Sequence, residues 1–157
     1  MSKTIAAPLL LGVLIAALAG QAVAATNYSG VWKLDVSKSD FGPAPTPEFM
    51  TRTITQKDLL LEIKTHQKGA AGETTTELKY TTDGKECINK LPQGESKGNA
   101  KYVDGKLVID STREAAGNEL KFKETYTLSP DGKGLTINNH VSVQGQEFDI
   151  TFVFTKQ

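Results

Sequence analysis

From Val31 to Thr155 the chain alternates apolar and polar side chains with a period of two. Phe148, Ile150, Phe152 and Phe154 share one face of their segment, while Asp149, Thr151 and Thr155 share the other. Leu120, Phe122, Tyr126 and Leu128 stand opposite Lys121, Lys123, Thr125 and Thr127 in the same way. This periodicity predicts β-strands at 31–36, 49–56, 59–67, 74–81, 86–91, 96–103, 106–113, 119–128, 135–143 and 147–155. No window after the N-terminal segment fits a helix better than a strand.

The punctuation between these segments predicts their connectivity. Asp83-Gly84-Lys85, Asp104-Gly105-Lys106 and Asp131-Gly132-Lys133 are three copies of one tripeptide, each set between strand patterns. Asp-Gly supplies the positive φ angles that a two-residue hairpin needs, so the chain is expected to run up and down. Residues 68–72 and 115–118 are expected to be looser turns. Between the first two strands, Gly42-Pro43-Ala44-Pro45-Thr46-Pro47 predicts an extended connector that buries little, because proline fixes φ and cannot donate to a ladder.

One apolar face per strand is the pattern of a sheet packed on one side and solvated on the other. An outer-membrane barrel would present the apolar face to lipid, the reverse of this pattern. Open edges on so many strands invite aggregation, and closure removes them. The fold class is therefore all-β: an antiparallel up-and-down meander closed into a barrel of 8–10 strands, with no substantial helix. A strongly twisted sheet folded into a sandwich is the alternative.

The N-terminus reads differently. Lys3, the apolar run from Ile5 to Leu18 and Ala22-Val23-Ala24 together predict a cleaved export signal over residues 1–24. The run is too short to span a bilayer, which needs about 20 apolar residues. A single barrel domain over 25–157 is expected to remain, in the periplasm or outside the cell. The chain has 18 basic and 18 acidic side chains and no net charge, which offers no electrostatic case for nucleic acid. Cys87 is the single cysteine, so no internal disulfide is available; it is read as a small buried hydrophobe, with a reactive or intermolecular thiol as the alternative.

Tyr28-Ser29-Gly30-Val31-Trp32-Lys33-Leu34 resembles the opening strand of the calycin barrels, the lipocalins and fatty-acid-binding proteins, whose first strand carries Gly-x-Trp. The composition is also similar to that of small exported bacterial proteins of lipocalin-like type. The resemblance implies a meander barrel around a cavity for a small hydrophobic molecule. It departs in two places. The helix-turn-helix lid of the fatty-acid-binding group is replaced by the proline-rich connector. The basic residue that lipocalins bring across the Trp, usually Arg, has its nearest counterpart in Lys156.

Polar residues on apolar faces are the candidate chemistry. Arg52 lies between Met50 and Ile54, Glu124 between Phe122 and Tyr126, and Asn139 between Ile137 and Val141; Arg113 ends the face of Leu107 and Ile109. Arg52 and Arg113 are the protein's two arginines. Hairpin registers are expected to set Tyr126 opposite Ile137, Glu124 opposite Asn139, Ser96 opposite Arg113, and Asn139 opposite Phe152. A buried charge must find a partner, water or ligand. Either the arginines form a structural network with Glu124, or they make a polar floor that accepts a carboxylate, lined by Tyr80, Tyr102 and Tyr126. Glu124 can neutralise one arginine and leave the other available.

Trp32 is expected to close one barrel end. His66 and His140 face outward on separate strands, without metal-ligand spacing, and no cofactor is expected. The leading expectation is a binding protein, not an enzyme, holding a small, mostly apolar or amphipathic molecule, with or without an acidic group. The alternative is a protein-binding module such as a periplasmic protease inhibitor, with the connector as inserting arm. An enzyme would have Glu124 as its base.

Overall fold

A computed structural model describes residues 25–157; residues 1–24, with the expected export signal, lie outside the described residues. Ten strands follow in chain order: β1 (Gly30–Leu34), β2 (Phe49–Lys57), β3 (Leu60–Gly69), β4 (Gly72–Thr81), β5 (Cys87–Leu91), β6 (Gly94–Val103), β7 (Lys106–Ala115), β8 (Asn118–Leu128), β9 (Gly134–Val143) and β10 (Gln146–Lys156). They form one antiparallel sheet in the order β4-β3-β2-β1-β10-β9-β8-β7-β6-β5. This is a meander whose first strand has paired with its last, and it curls into a nearly closed barrel. Among the described residues no helix is long and apolar enough to cross a membrane.

Where the sheet ends meet, a side chain replaces the ladder. β4 and β5 are not paired, but the Asn89 carboxamide accepts a hydrogen bond from the Lys79 N–H (2.6 Å) and donates one to the Lys79 carbonyl (3.1 Å). Asparagine suits this place because its carboxamide carries the same donor and acceptor as a peptide unit.

Turn chemistry differs from the tripeptide expectation. Asp104-Gly105 is a two-residue hairpin with both φ angles positive, 50° and 77°. Asp83-Gly84 instead lies in the β4–β5 connection and ties back to β6, with the Gly84 N–H on the Ala100 carbonyl at 2.9 Å. Asp131-Gly132 belongs to a longer β8–β9 loop. Two-residue loops also close β2–β3 (58–59), β3–β4 (70–71), β5–β6 (92–93), β7–β8 (116–117) and β9–β10 (144–145), so the turns expected to be looser at 68–72 and 115–118 are tight. Ala116-Gly117 (51°, 76°) and Gln144-Gly145 (52°, 76°) share the positive φ pair of Asp104-Gly105, and glycine at the second position makes that geometry accessible. Gln144-Gly145 corrects one register. Val143 pairs with Gln146, so Asn139 lies opposite Ile150 rather than Phe152. The shift is two residues, so every side chain keeps its face. The Glu124–Asn139, Tyr126–Ile137 and Ser96–Arg113 pairs form as expected.

The core fills one end of the barrel. Tyr28, Trp32, Leu107, Tyr126, Leu135, Ile137 and Phe154 are all essentially inaccessible there. The Trp32 indole donates to the Tyr28 carbonyl (2.9 Å), and the Lys156 ammonium lies 5.2 Å from its ring centre. Gly30 makes room for that lysine, because a Cβ would stand 2.7 Å from its Cε. The Tyr28 hydroxyl spans the end, donating to the Tyr126 carbonyl and accepting from the Leu107 N–H.

At the opposite end the proline-rich connector is folded down rather than loose. A single 3-10 turn (Val36–Lys38) leads into an antiparallel bridge between Asp40 and Thr151, with backbone bonds of 2.8 and 2.7 Å. Phe41 is then buried edge-on against Phe152, with 6.0 Å between ring centres. Residues 42–47 themselves bury little, in keeping with the expectation, with Pro43 and Pro45 exposed and Pro47 half-buried; Phe41, just before them, anchors the run to the rim.

Candidate ligand cavity

Between the packed end and the connector lies a cavity of about 540 Å³. Its floor is polar because β2 and β8 each place a charged residue on their inner faces. Arg52 stands beside Trp32 in the β1–β2 register and reaches across the barrel to Glu124 on β8. Its Nη1 lies 3.3 Å from Glu124 Oε1 and donates to the Tyr126 hydroxyl at 2.8 Å; that hydroxyl donates in turn to Glu124 Oε2 at 2.7 Å. The three side chains hydrogen-bond one another in a closed triangle resting on the aromatic plug.

Electrostatics follow from this arrangement. Burial works against the charge on Arg52, yet the Glu124 carboxylate and the Tyr126 hydroxyl raise its pKa above the ordinary value. Burial drives Tyr126 well above the usual phenol range, with Glu124 adding to the effect. Tyr80, on the inner face of β4, is pushed up to about 12 by burial and by the charge of Glu124. Both tyrosines are therefore neutral hydroxyls throughout the physiological range.

Arg113 is the second arginine and stands apart. It lies near the cavity mouth on β7, its guanidinium 4.6 Å over the Phe122 ring. The residue is open to the mouth, but the surrounding barrel wall still draws its pKa down. Among the described residues no carboxylate lies within ion-pairing distance of it. Two atoms of the floor also lack partners: Arg52 Nε and Asn139 Oδ1, both buried, on residues 8% and 7% exposed.

Of the residues singled out in the sequence, the structure brings Arg52, Arg113, Glu124, Tyr80 and Asn139 to one cavity wall or floor. Tyr126 lies just beneath the floor and acts through its two hydrogen bonds. Tyr102 does not join them: its hydroxyl donates to the Thr26 carbonyl (2.7 Å) and accepts from Gln56 Nε2 (2.6 Å) at the packed end. It sits at the hairpin end of β6, six residues from Ser96, the β6 residue that lines the cavity, a difference in depth that an inward-facing position alone does not reveal.

Sequence reasoning missed the cap. Phe41, Ala44, Pro45 and Pro47 all line the cavity. A large aromatic set among turn residues was the available signal, since such a side chain needs an apolar surface to cover it. Cys87 is half-buried near Thr81 at the edge of β5 rather than in the core. His66 and His140 meet Glu73 (2.6 Å) and Asp149 (2.8 Å) on the outer wall, away from the cavity.

No protein-family model and no curated protein matches the sequence. Solved structures do match in fold. The fluorescent protein UnaG is 17% identical with a TM-score of 0.57, over 83% of this chain and 97% of that one. A secretary abundant heat soluble protein from Ramazzottius varieornatus is 10% identical with a TM-score of 0.60, over 83% and 95%. Zebrafish ileal bile acid-binding protein, in complex with cholic acid, is 17% identical with a TM-score of 0.56, over 83% and 98%. The fold is thus the ten-stranded calycin β-barrel.

Proposed function

We propose that this chain is an exported carrier that holds a small, mostly apolar molecule in its barrel, with a carboxylate of that molecule received by Arg113. The observation that carries the reading is a cavity of about 540 Å³ whose one arginine without a carboxylate partner lies at the mouth. The size falls within the usual range for ligand sites, roughly 300–1,000 Å³. Arginine suits the role because its planar fork receives a carboxylate through two parallel hydrogen bonds. The packed end excludes water from one side, so the apolar body of a ligand has somewhere dry to lie.

The fold of the bile-acid- and fatty-acid-binding neighbours supports a cavity role, and the export signal expected over residues 1–24 supports an exported one. The inhibitor reading needs a mobile inserting arm, whereas the connector is docked on the barrel's own rim. The enzyme reading needs an available carboxylate, whereas Glu124 is held by Arg52 and Tyr126.

Native mass spectrometry of protein purified from its own host is expected to show a bound small molecule. Long-chain acids are expected to displace an environment-sensitive hydrophobic dye. Consistently empty protein, together with no displacement by any acid, would overturn the reading. N-terminal sequencing of the exported protein is expected to begin at Ala25.

A further inference from the structure

β4 has one paired flank and one open flank, and its hydrogen bonds show which residues face each. Lys79 engages the Asn89 carboxamide through both its N–H and its carbonyl, on the side away from β3. Thr82, three residues on, donates instead to the Leu59 carbonyl on the β3 side. Successive residues of a strand send their N–H and C=O groups to alternate flanks. Glu73, Thr75 and Glu77 therefore follow Lys79 and aim their backbone groups away from β3. Among the described residues nothing bonds those groups, because β4 pairs with β3 alone. Counting antiparallel from the Lys79–Asn89 contact, Leu91 falls beside Glu77 and Pro92 beside Thr76. β5 ends at that leucine, and the proline after it has no N–H to give.

A row of unpaired N–H and C=O groups on one strand is a template for a peptide in extended conformation. Nothing blunts it here: residues 73–78 hold three consecutive threonines and no proline, and their register with β3 runs without a bulge. Side chains decide which peptide fits. Those of Glu73 and Glu77 are outward and more than half exposed, although His66 and Lys64 already meet them. Thr74, Thr76 and Leu78 are inward and line the cavity. An added strand would alternate in the same way, with one set of side chains beside the two glutamates and the other over the cavity.

A second copy of β4 fits poorly. Centred on Thr75, two antiparallel copies would set Glu73 against Glu77, and like charges directly opposed are unfavourable. The register that sets Glu73 against Lys79 needs the Lys79 groups that Asn89 holds. We propose that the open flank of β4 receives an extended peptide of alternating basic and small apolar residues, added as a strand beside Glu73, Thr75 and Glu77. The site is separate from Arg113 and does not require the carrier reading.

The test follows the anisotropy of a fluorescein-labelled peptide, Lys-Val-Lys-Val-Lys-Val-Lys, added to the full chain. The same peptide methylated on its lysine amide nitrogens keeps every side chain and charge but cannot pair, and is expected to bind at least about ten-fold more weakly. Thr75→Pro is expected to weaken binding to a similar degree with the barrel still folded, because the Thr75 N–H is no part of the β3–β4 ladder and proline is tolerated at an edge. Hydrogen exchange on wild type reads the same contact without a variant. The unmethylated peptide is expected to protect the amides of Glu73, Thr75 and Glu77 and to leave those of Thr74 and Thr76, which face β3, unchanged. Equal binding of the methylated peptide, no new protection at those three amides, or no binding of either peptide would overturn the proposal. Self-association of the chain that Thr75→Pro abolishes would assign the flank to a second copy and overturn it as well.

Discussion

Two arginines in one barrel have different fates, and the difference lies in what surrounds each guanidinium. Arg52 is neutralised by Glu124 and Tyr126, so Arg52→Met would leave a buried carboxylate without its partner. Breaking a buried pair in this way costs about 3–5 kcal/mol, and the denaturation midpoint is expected to fall accordingly. Arg113 has no such obligation. Arg113→Met is expected to keep or raise stability while lowering affinity for a carboxylate ligand by about 1.5–3 kcal/mol, with the matching neutral alcohol unaffected. Isothermal titration of the acid and alcohol, beside a denaturant series, checks both. That both arginines point inward was legible from period two alone; which one Glu124 would neutralise was not, because the choice depends on reach across the barrel.

Asp83 carries a separate expectation. Its carboxylate is held at about 2 by the Lys85 ammonium and by the Thr81 hydroxyl. A carboxylate depressed in the folded state contributes stability that is fully present above its unfolded value near 3.9 and is lost as pH falls through about 2. Asp83→Asn is expected to be less stable than wild type at neutral pH and equal to it below about pH 2. Acid-unfolding curves of the two proteins give the comparison, and parallel curves at all pH values would contradict it.

Strands were the most legible elements, because each inner face repeats every second residue over five to eleven positions. Their ends and pairings were less so. The Asp-Gly signal marks a chain reversal wherever it occurs, but its turn type depends on what the flanking strands do. Of the three Asp-Gly pairs, only Asp104-Gly105 joins strands that pair directly across a two-residue loop. Gln144-Gly145 performs the same task without Asp or Asn, and this is why the β9–β10 register was displaced by two. The join between β4 and β5 lay further from view, since it rests on one side chain. Asn89→Ala is expected to lower hydrogen-exchange protection at the Lys79 amide while leaving β8 and β9 protected. The global cost should be about 1–3 kcal/mol, for a backbone donor and acceptor left unpaired. Asn89→Asp keeps the acceptor alone and should restore protection at that amide only in part.

The barrel as an assembly has a rigid end and an end that is merely covered. Trp32→Ala removes the centre of the aromatic plug and is expected to cost about 3–5 kcal/mol through cavity formation. Phe41→Ala removes a contact between the connector and the rim, where two backbone bonds at Asp40 remain to hold the segment. Its expected effect is faster ligand dissociation, read by stopped-flow release of a fluorescent acid, with a smaller loss of stability than Trp32→Ala. Equal stability losses with unchanged release would show the connector to be part of the core and not a cover.

Alternation of side chains established the all-β meander, the inward set of polar residues and the Trp32 plug, because a two-residue period is a local property that survives into any packed sheet. Depth along the barrel is not local. Whether Tyr102 or Tyr126 touches the floor, whether Arg52 or Arg113 takes Glu124, and whether a proline-rich run hangs loose or covers a cavity all depend on strands far apart in the chain. Those contacts exist only once β1 has closed on β10, when side chains from opposite walls come within reach of one another.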